Sequence, residues 1–512
     1  MHLRERLSLI SVILLVLLIS VPTLVSTNLL TQSPARINDE NLSSPQATLY
    51  FSDEILLSTF DFDYNHHVEP TLAISDNGTL FAGWKNSETH NGGGAQVSFT
   101  KSVDGGETWD FPRDMTNFES RNTRKSDPWL VWHDGTIYYA YLEFEVGGGD
   151  LSQITVAKSS DYGAIWNKAA ASEGVYFADK ETMVIADDGT IFVAYDDVDT
   201  DPGGLATVRL TRSVDGGDSF DEVSIIGDPD EGHVGPYLTL DSESNIFVAW
   251  TFFYEEGGNL LLDNSTDSGL TFGEDRIVNA DGDFSDFTEA GGRPSKVTLP
   301  VIRFDSQNRL YCLWADTFDI ATGSFDVYLR YSDDYGFTWS NRILINPQIE
   351  GDQWMPDMDI DSEDNLHIVY YSELFGIYKP YYRKVSISGE SRDLVTLSGS
   401  TALTDTSTLS NFTRPGDYFT IRLDSSDTPH IVWTDGRDNE MDIYYAHQVD
   451  YEPTTTTTSA TTTTTTTSST TTTTSTNTPT EDGQLLPIIG GVIGLGVILV
   501  VAIVLFRKTR TP

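Results

Sequence analysis

A short strand that ends in an aromatic residue recurs seven times between residues 75 and 433, and this repeat constrains the fold more than any other feature. Each copy runs from an acidic or Gly/Asn turn into an apolar segment, as in SDNGTLFAGW (75–84) and DSSDTPHIVW (424–433). Their spacing of 54 to 64 residues suits a four-stranded unit with one long loop, and sustained helical periodicity is absent between residues 46 and 450. The aromatics that end the seven copies are Trp84, Tyr141, Tyr195, Trp250, Trp314, Tyr370 and Trp433.

A second motif, SxDxGxx(W/F), follows the third strand in five of the repeats, for example SVDGGETW (102–109). Its Asp can accept backbone N–H bonds across a turn, its Gly can take a positive φ, and its aromatic can be buried on the sheet, so it predicts a stabilised hairpin. These are Asp boxes, and over about residues 46–450 the chain resembles the sialidase-like, or BNR-repeat, β-propellers. In that family the boxes lie away from the active site, so we interpret them as structural. They comprise Asp104, Gly106, Trp109, Asp161, Gly163, Trp166, Asp215, Gly217, Phe220, Asp267, Gly269, Phe272, Asp334, Gly336 and Trp339.

The repeats predict an all-β fold, a seven-bladed β-propeller of four-stranded antiparallel blades over residues 46–451. Repeat six has only SISG (386–389) at the box position, and repeat seven stops after its third strand (442–449). The segment 47–58 precedes the first repeat and has no partner of its own, so we expect it to complete the last blade and close the ring. Enzymatic sialidases usually have six blades, so seven is a departure from the enzymes that the chain resembles.

Both ends of the sequence predict export and membrane attachment. Residues 1–26 have the charged start, apolar stretch and small-residue end of a signal peptide, with an uncleaved anchor as the alternative, and 27–45 form a linker. Residues 452–484 form a Thr-rich stalk, 485–506 an apolar run long enough for a transmembrane helix, and 507–512 a basic tail. We therefore expect a single-pass type I protein of the cell membrane, with the propeller extracellular. Glycosylation sequons lie at Asn41, Asn77, Asn264 and Asn411.

Charge and cysteine content narrow the possible partners. The 31 Lys and Arg against 77 Asp and Glu give a formal charge of −46, which makes nucleic acid an unsuitable partner because phosphate binding needs clustered cations. Cys312 is the one cysteine, so an internal disulfide and a thiol–metal cluster are excluded. Two acidic loops could hold a structural Ca²⁺, although neither matches the EF-hand pattern. They contain Asp196, Asp197, Asp199 and Asp201, and Asp281, Asp283 and Asp286.

The starts of the inner strands are predicted to ring one mouth of the propeller. The loops that join the second and third strands emerge on the same face and are long and irregular, which is typical of loops that carry binding residues. The mixture of ionisable and aromatic side chains could bind a polar ligand, with Trp354 and Tyr418 stacking on sugar faces, while a solvated rim of mutually neutralising charges is the alternative. The predicted ligand-binding residues are His67, Glu69, Lys125, Asp127, Asp179, Lys180, Glu181, His233, Arg293, Asp352, Trp354, Asp417 and Tyr418.

The resemblance also implies a possible chemistry. A sialidase of this family uses three arginines to clamp the substrate carboxylate, a Tyr nucleophile activated by a Glu, and an Asp as acid–base catalyst. The Arg-Ile-Pro signature of the family is replaced here by Glu69-Pro70, and no such triplet occurs in the sequence. The weak catalytic candidates are Asp127 as acid–base, Glu181 as activator, Arg124 and Arg293 as carboxylate ligands, and Tyr418 or Tyr371 as nucleophile.

The sequence therefore predicts a cell-surface propeller that recognises an extracellular glycan or glycoprotein at its central mouth. Binding is preferred to catalysis because the scaffold motifs are abundant and the catalytic signature is absent. Two alternatives remain, an exo-sialidase-like glycoside hydrolase and an architectural surface-coat protein.

Overall fold

The computed structural model describes residues 49–450 except for 60–63, 89–93, 116–122, 146–151, 173–176, 200–204, 222–223, 228–231, 255–256, 280–298, 317–323, 349, 376, 389–392, 405–414 and 438–439. The regular structure of this part of the chain is entirely β, in thirty strands. No helix among the described residues is long and apolar enough to cross a bilayer. The predicted signal peptide, N-terminal linker, stalk, transmembrane helix and tail lie outside the described residues.

Seven antiparallel sheets form the blades of a propeller, which confirms the predicted architecture. Two short strands precede blade one, β1 (Tyr50–Phe51) and β2 (Ile55–Leu56). Blade one contains β3 (His66–Ile74), β4 (Leu80–Ser87), β5 (Gln96–Ser102) and β6 (Arg113–Asp114). Blade two contains β7 (Thr123–His133), β8 (Thr136–Glu145), β9 (Ser152–Ser159) and β10 (Asn167–Ala170). Blade three contains β11 (Phe177–Ile185), β12 (Ile191–Val198), β13 (Ala206–Ser213) and β14 (Ser224–Ile226).

The remaining blades follow the same order from inner to outer strand. Blade four contains β15 (Gly232–Leu240), β16 (Ile246–Tyr254), β17 (Gly257–Ser265) and β18 (Arg276–Ile277). Blade five contains β19 (Val301–Phe304), β20 (Leu310–Asp316), β21 (Asp326–Ser332) and β22 (Ile343–Leu344). Blade six contains β23 (Asp352–Ile360), β24 (Leu366–Leu374), β25 (Ile377–Ser388), β26 (Asp393–Thr396) and β27 (Thr401–Ala402). Blade seven contains β28 (Thr420–Leu423), β29 (Pro429–Asp435) and β30 (Asp442–Val449).

The N-terminal segment closes the ring as predicted. Both β1 and β2 pair antiparallel with β30, so that Tyr50 lies opposite Val449 and Ile55 opposite Tyr445. Blade seven therefore takes three strands from the C-terminal end of the propeller and its outer edge from the N-terminal end. This closure leaves no open junction between the first and last blades.

The aromatics that end the repeated strands fill the spaces between neighbouring blades. All seven are at most 1 % exposed. Trp84 clusters with Ile443 and Tyr445 of blade seven, and Trp250 clusters with Leu210 of blade three. Because the hydrophobic effect scales with the apolar area removed from water, these large side chains supply much of the adhesion between blades.

The Asp boxes form the predicted hairpins and also contact the preceding blade. In the first box, Gly106 N–H donates to Ser102 Oγ at 2.9 Å, and Thr108 Oγ1 donates to Asp104 Oδ2 at 2.6 Å. A Cβ added at Gly106 would lie 2.0 Å from the hydroxyl oxygen of Tyr445 in blade seven. The equivalent glycine of blade two, Gly163, lies as closely against Phe99 of blade one. The boxes of blades one and two therefore fasten these blades to the blade before them.

Candidate functional site

A β-bulge interrupts the inner strand of five blades at the predicted mouth. The register shifts between Val68 and Thr71, Ser126 and Trp129, Asp179 and Thr182, Val234 and Tyr237, and Trp354 and Asp357. Each bulge contains one residue with a left-handed φ, namely Glu69 (59°), Asp127 (52°), Lys180 (54°), Gly235 (72°) and Met355 (51°). A non-glycine residue in this conformation is strained, and such strain is concentrated at functional sites.

A proline follows four of the five bulges. Pro70, Pro128, Pro236 and Pro356 lie inside inner strands, directly after the left-handed residue of a bulge, whereas Pro300 precedes its strand. In the bulge of blade three, Glu181 takes this position after Lys180. Proline cannot donate to the ladder, so a bulge, where pairing is already interrupted, is the position that tolerates it.

Three of these strands and the residues before β28 bring Glu69, Asp127, Lys180 and Asp417 together at the centre of the ring. Lys180 Nζ donates to Asp417 Oδ2 and lies 3.8 Å from Asp127 Oδ1. Lys85 of β4 reaches Glu69 Oε1 at 3.2 Å. All five residues are at most 6 % exposed, so the pairs are buried ones. Such groups are costly to desolvate and depend on one another for compensation.

Glu181 is fully buried beside this group, and neither of its carboxylate oxygens has a hydrogen-bond partner in another described residue. Burial, reinforced by the Asp127 carboxylate, raises the pKa of Glu181 well above its ordinary value. Burial and Asp127 also raise the pKa of Glu69, against the opposing effect of Lys85. Glu181 is therefore strongly disposed to hold a proton.

Tyr418 is the half-buried aromatic of the mouth. Its hydroxyl donates to Asp127 Oδ1 at 3.3 Å, and Lys180 Nζ lies 5.9 Å from the centre of its ring. Trp129 of blade two meets the ring edge-to-face at 6.3 Å. Lys180, Asp417 and Tyr418 border a cavity of about 30 Å³, which is room for a water molecule.

A second charged group lies deeper in the channel and was not predicted from the sequence. Arg422 of β28 binds Asp357 Oδ2 of β23 at 3.0 Å, and Tyr237 donates to the other Asp357 oxygen at 3.4 Å. The Arg303 guanidinium lies 4.9 Å from the centre of the Tyr237 ring. The available signal was a charge inside each short apolar inner strand, as in VIRF (301–304) and TIRL (420–423).

Other predicted mouth residues are bound elsewhere. Lys125 pairs with Glu143 at 3.4 Å within blade two. His67 contacts Asn86 Oδ1 through Nδ1 at 2.7 Å. Asp352 accepts the Phe325 N–H at 2.9 Å. Neighbouring residues of a strand point to opposite sides, so the bulge decides which side chain of a pair reaches the channel.

Trp354 differs most from its expected role. It is 1 % exposed and packs against Tyr371 and Tyr378, each with ring centres 5.3 Å away. It is therefore part of the core of blade six and not available for stacking on a sugar. Asp179 is half-buried. Arg293 and the His233 side chain lie outside the described residues.

Three of the weak catalytic candidates converge, namely Asp127, Glu181 and Tyr418. Burial raises the pKa of Tyr418 well above its ordinary value, and the Asp127 and Glu181 carboxylates add to the rise, which opposes formation of a nucleophilic phenolate. Tyr371 is fully buried and donates its hydroxyl to the Thr434 carbonyl at 2.9 Å, so it is a core residue. Arg124 is half-buried near the start of β7.

The first acidic loop is partly strand in the part of the chain that the structure describes, and both predicted Ca²⁺ sites stay predictions. Asp196 and Asp197 belong to strand β12, not to a loop. Asp196 accepts the Gly235 N–H at 2.9 Å, whereas Asp197 binds Arg209 at 2.6 Å, so the two carboxylates diverge. Asp201 and the second set, Asp281, Asp283 and Asp286, lie outside the described residues, as do the sequons at Asn41 and Asn411. Asn77 is exposed and Asn264 half-buried.

No protein-family profile matches the sequence, and no curated protein matches it either. Among solved structures, an ulvan lyase from a polysaccharide lyase family is 12 % identical over 75 % of this chain and 94 % of its own, with a TM-score of 0.49. The endosialidase of phage phi92 is 11 % identical over 79 % of this chain and 70 % of its own, with a TM-score of 0.47. The Trypanosoma rangeli sialidase is 13 % identical over 62 % and 55 %, with a TM-score of 0.44.

The described residues form a seven-bladed β-propeller, and the sequence carries five Asp boxes. At such low identities, the activities of the similar proteins do not carry over to this chain. Any functional conclusion must come from the mouth.

Proposed function

We propose that this protein is a cell-surface propeller whose central mouth recognises an extracellular glycan or glycoprotein. The Thr-rich stalk at 452–484 and the apolar run at 485–506 would hold the propeller outside the cell. The proposal is supported by the mouth, where strained inner strands collect polar groups that serve no evident packing purpose.

The single observation that carries the proposal is the arrangement around Tyr418. Its half-buried ring lies beside Trp129, and its hydroxyl is held by Asp127. An aromatic face next to fixed hydrogen-bonding groups suits a sugar, which has an apolar face and a hydroxylated edge. Because the contacts of this group include several carboxylates, a hydroxyl-rich ligand fits it better than a strongly anionic one.

The experiment is a glycan array probed with the full chain in mild detergent, followed by titration of the glycans retained. We expect Tyr418→Ala to weaken binding at least tenfold. Phe337→Ala is the matched control, since Phe337 is a 73 % exposed aromatic next to an Asp box, and it should bind as the wild type does. Retention of no glycan, or equal affinity of the wild type and Tyr418→Ala, would contradict the proposal.

A glycoside hydrolase is the second candidate, because Tyr418, Asp127 and Glu181 converge. A buried carboxyl that keeps its proton is suited to general acid catalysis. Turnover of a fluorogenic sialoside that Asp127→Asn abolishes would establish the hydrolase and displace a purely binding role. Ordered self-assembly, with neither binding nor turnover, would instead favour the architectural coat protein.

A further inference from the structure

We propose that Glu69, Asp127 and Asp417 form a binding site for a hard divalent cation, Ca²⁺ by the chemistry of the donors. The three residues come from blades one, two and seven, and they are 1 %, 5 % and 6 % exposed. One carboxylate oxygen from each lies within 4.8 Å of the others. An ion at their centre would lie at most about 2.8 Å from each oxygen, so a small inward shift of the side chains would bring all three to the roughly 2.3–2.6 Å of a Ca–O contact.

A second observation points to a ligand at this position. Glu181 is fully buried, and neither of its oxygens has a hydrogen-bond partner in another described residue. The second oxygen of Glu69, Oε2, is likewise buried without a partner among the described residues. Buried polar atoms in native proteins are nearly always satisfied, so these three oxygens point to a ligand beside the cluster.

The charges of the group favour a cation. Glu69, Asp127 and Asp417 carry three negative charges when ionised, and Lys85 and Lys180 carry two positive ones. The sum is 2 − 3 = −1, an excess of negative charge before Glu181 is counted. Lys180 is occupied at Asp417 and Asp127, and Lys85 at Glu69 Oε1, so the ion would bind on the side of Glu69 Oε2.

The donors favour Ca²⁺ over Mg²⁺. Ca²⁺ accepts six to eight oxygen ligands in flexible geometry, whereas Mg²⁺ requires a near-ideal octahedron and keeps its waters. Carboxylates from three separate blades suit the flexible coordination of Ca²⁺ more readily than the strict octahedron of Mg²⁺.

The site also lies where the ring closes. Asp417 precedes the inner strand of blade seven, while Glu69 and Asp127 belong to blades one and two. A cation shared by these blades would join the last blade to the first two from the channel side. It would do so whether or not the mouth binds a glycan.

The experiment uses the full chain in mild detergent, stripped with a chelator and then titrated with Ca²⁺, with Mg²⁺ and with Tb³⁺. We expect one saturable Ca²⁺ site per chain by calorimetry, at least tenfold weaker binding of Mg²⁺, and a higher melting temperature with Ca²⁺. Tb³⁺ should show emission sensitised by the nearby Tyr418 and Trp129, and Ca²⁺ should displace it. Absence of saturable Ca²⁺ binding to the wild type overturns the proposal regardless of any variant.

Variants then locate the site. Glu69→Gln and Asp417→Asn should each weaken Ca²⁺ binding at least tenfold, whereas Asp104→Asn, the same change of charge in an exposed Asp box, should leave it unchanged. Tyr418→Leu tests the position independently, since it should lower sensitised Tb³⁺ emission at saturation, which Tyr335→Leu at an Asp box should not. Equal loss in the control and mouth variants, or unaltered emission in Tyr418→Leu, would place the ion elsewhere and overturn the assignment.

Discussion

The acidic side chains of the Asp boxes and those of the central mouth are the same chemical groups held in opposite ways. Asp104 is exposed, and hydrogen bonds from Thr108 and Ser102 lower its pKa to about 2. Glu181 is fully buried, no other described residue hydrogen-bonds its carboxylate, and burial raises its pKa well above its ordinary value. A local turn stabilises the charged carboxylate, whereas the tertiary assembly of the mouth destabilises it.

This difference shows which carboxylates within the net charge of −46 bear on function. The box carboxylates accept hydrogen bonds within their own turns, so their charge costs the protein little stability and is weak evidence for a binding partner. The mouth carboxylates are buried and strained, so they are retained against their cost in stability. Buried carboxylates like those of the mouth mark functional sites far more often than exposed carboxylates like those of the boxes.

The largest expected effect comes from removing the positively charged side chain of Lys180 from the mouth. Lys180→Met leaves Asp417 and Asp127 buried without their shared ammonium, which should cost about 3–5 kcal/mol of unfolding free energy. Lys158→Met is the control, because Lys158 binds the 73 % exposed Asp218 carboxylate and should cost at most about 1 kcal/mol. Urea denaturation measures both. Similar losses in the two variants would remove the distinction between mouth and surface charges.

The next effect tests the box as a fastening between blades. Gly106→Ala places a Cβ against the Tyr445 ring at a φ of 99°, and we expect a loss of about 2–4 kcal/mol. Gly105→Ala is a close control, since Gly105 also has a positive φ of 77° but open space around its Cβ, and should lose about 1 kcal/mol. Thermal unfolding measures the loss of stability in both variants, and the difference between them separates the clash with Tyr445 from the backbone strain. Equal losses would mean that the blade contact contributes nothing.

The stability of the protein should depend on pH in a direction that the raised pKa of Glu181 determines. Because the folded pKa of Glu181 is raised, its stabilising effect is complete below the unfolded value near 4.5 and is lost as the pH rises through the folded pKa. Glu181→Gln keeps the neutral shape at every pH, so its stability relative to the wild type should increase from pH 5 to pH 8. Urea midpoints in chelator at the two pH values measure this. A constant difference between the two proteins would contradict the raised pKa.

The fold could be predicted from the sequence because its determinants are local and repeated. Each Asp box, and each repeated strand with its final aromatic such as Trp84, is a motif of about ten residues. Ring closure was predicted from one segment without a partner, 47–58. The hairpin chemistry depends on neighbours in sequence, so no tertiary information was needed.

The mouth could be predicted only in part because a β-bulge decides its composition. Two-residue alternation alone does not tell Asp127 from Lys125, yet the first enters the channel and the second pairs within its blade. An acidic residue directly before proline, as in Glu69-Pro70 and Asp127-Pro128, was a sequence signal that could have located two of the bulges, where the structure has a left-handed φ. The burial of Trp354 depends on Tyr371 and Tyr378, which no pattern within its own strand encodes.

The smallest expected effect lies in the turn of a single box. Asp104→Asn keeps one acceptor oxygen but loses the carboxylate oxygen that accepts the Thr108 hydroxyl at 2.6 Å, so we expect a small fall in melting temperature at pH 7. The folded pKa of Asp104 is lowered to about 2, so its stabilising effect is present above the unfolded value of 3.8 and is lost as the pH falls through 2. The difference between wild type and variant should therefore shrink in acid, opposite in direction to Glu181→Gln. Melting temperatures at pH 7 and pH 2 provide the measurement, and a difference that persists at pH 2 would show that the turn depends on the shape of Asp104 and not on its charge.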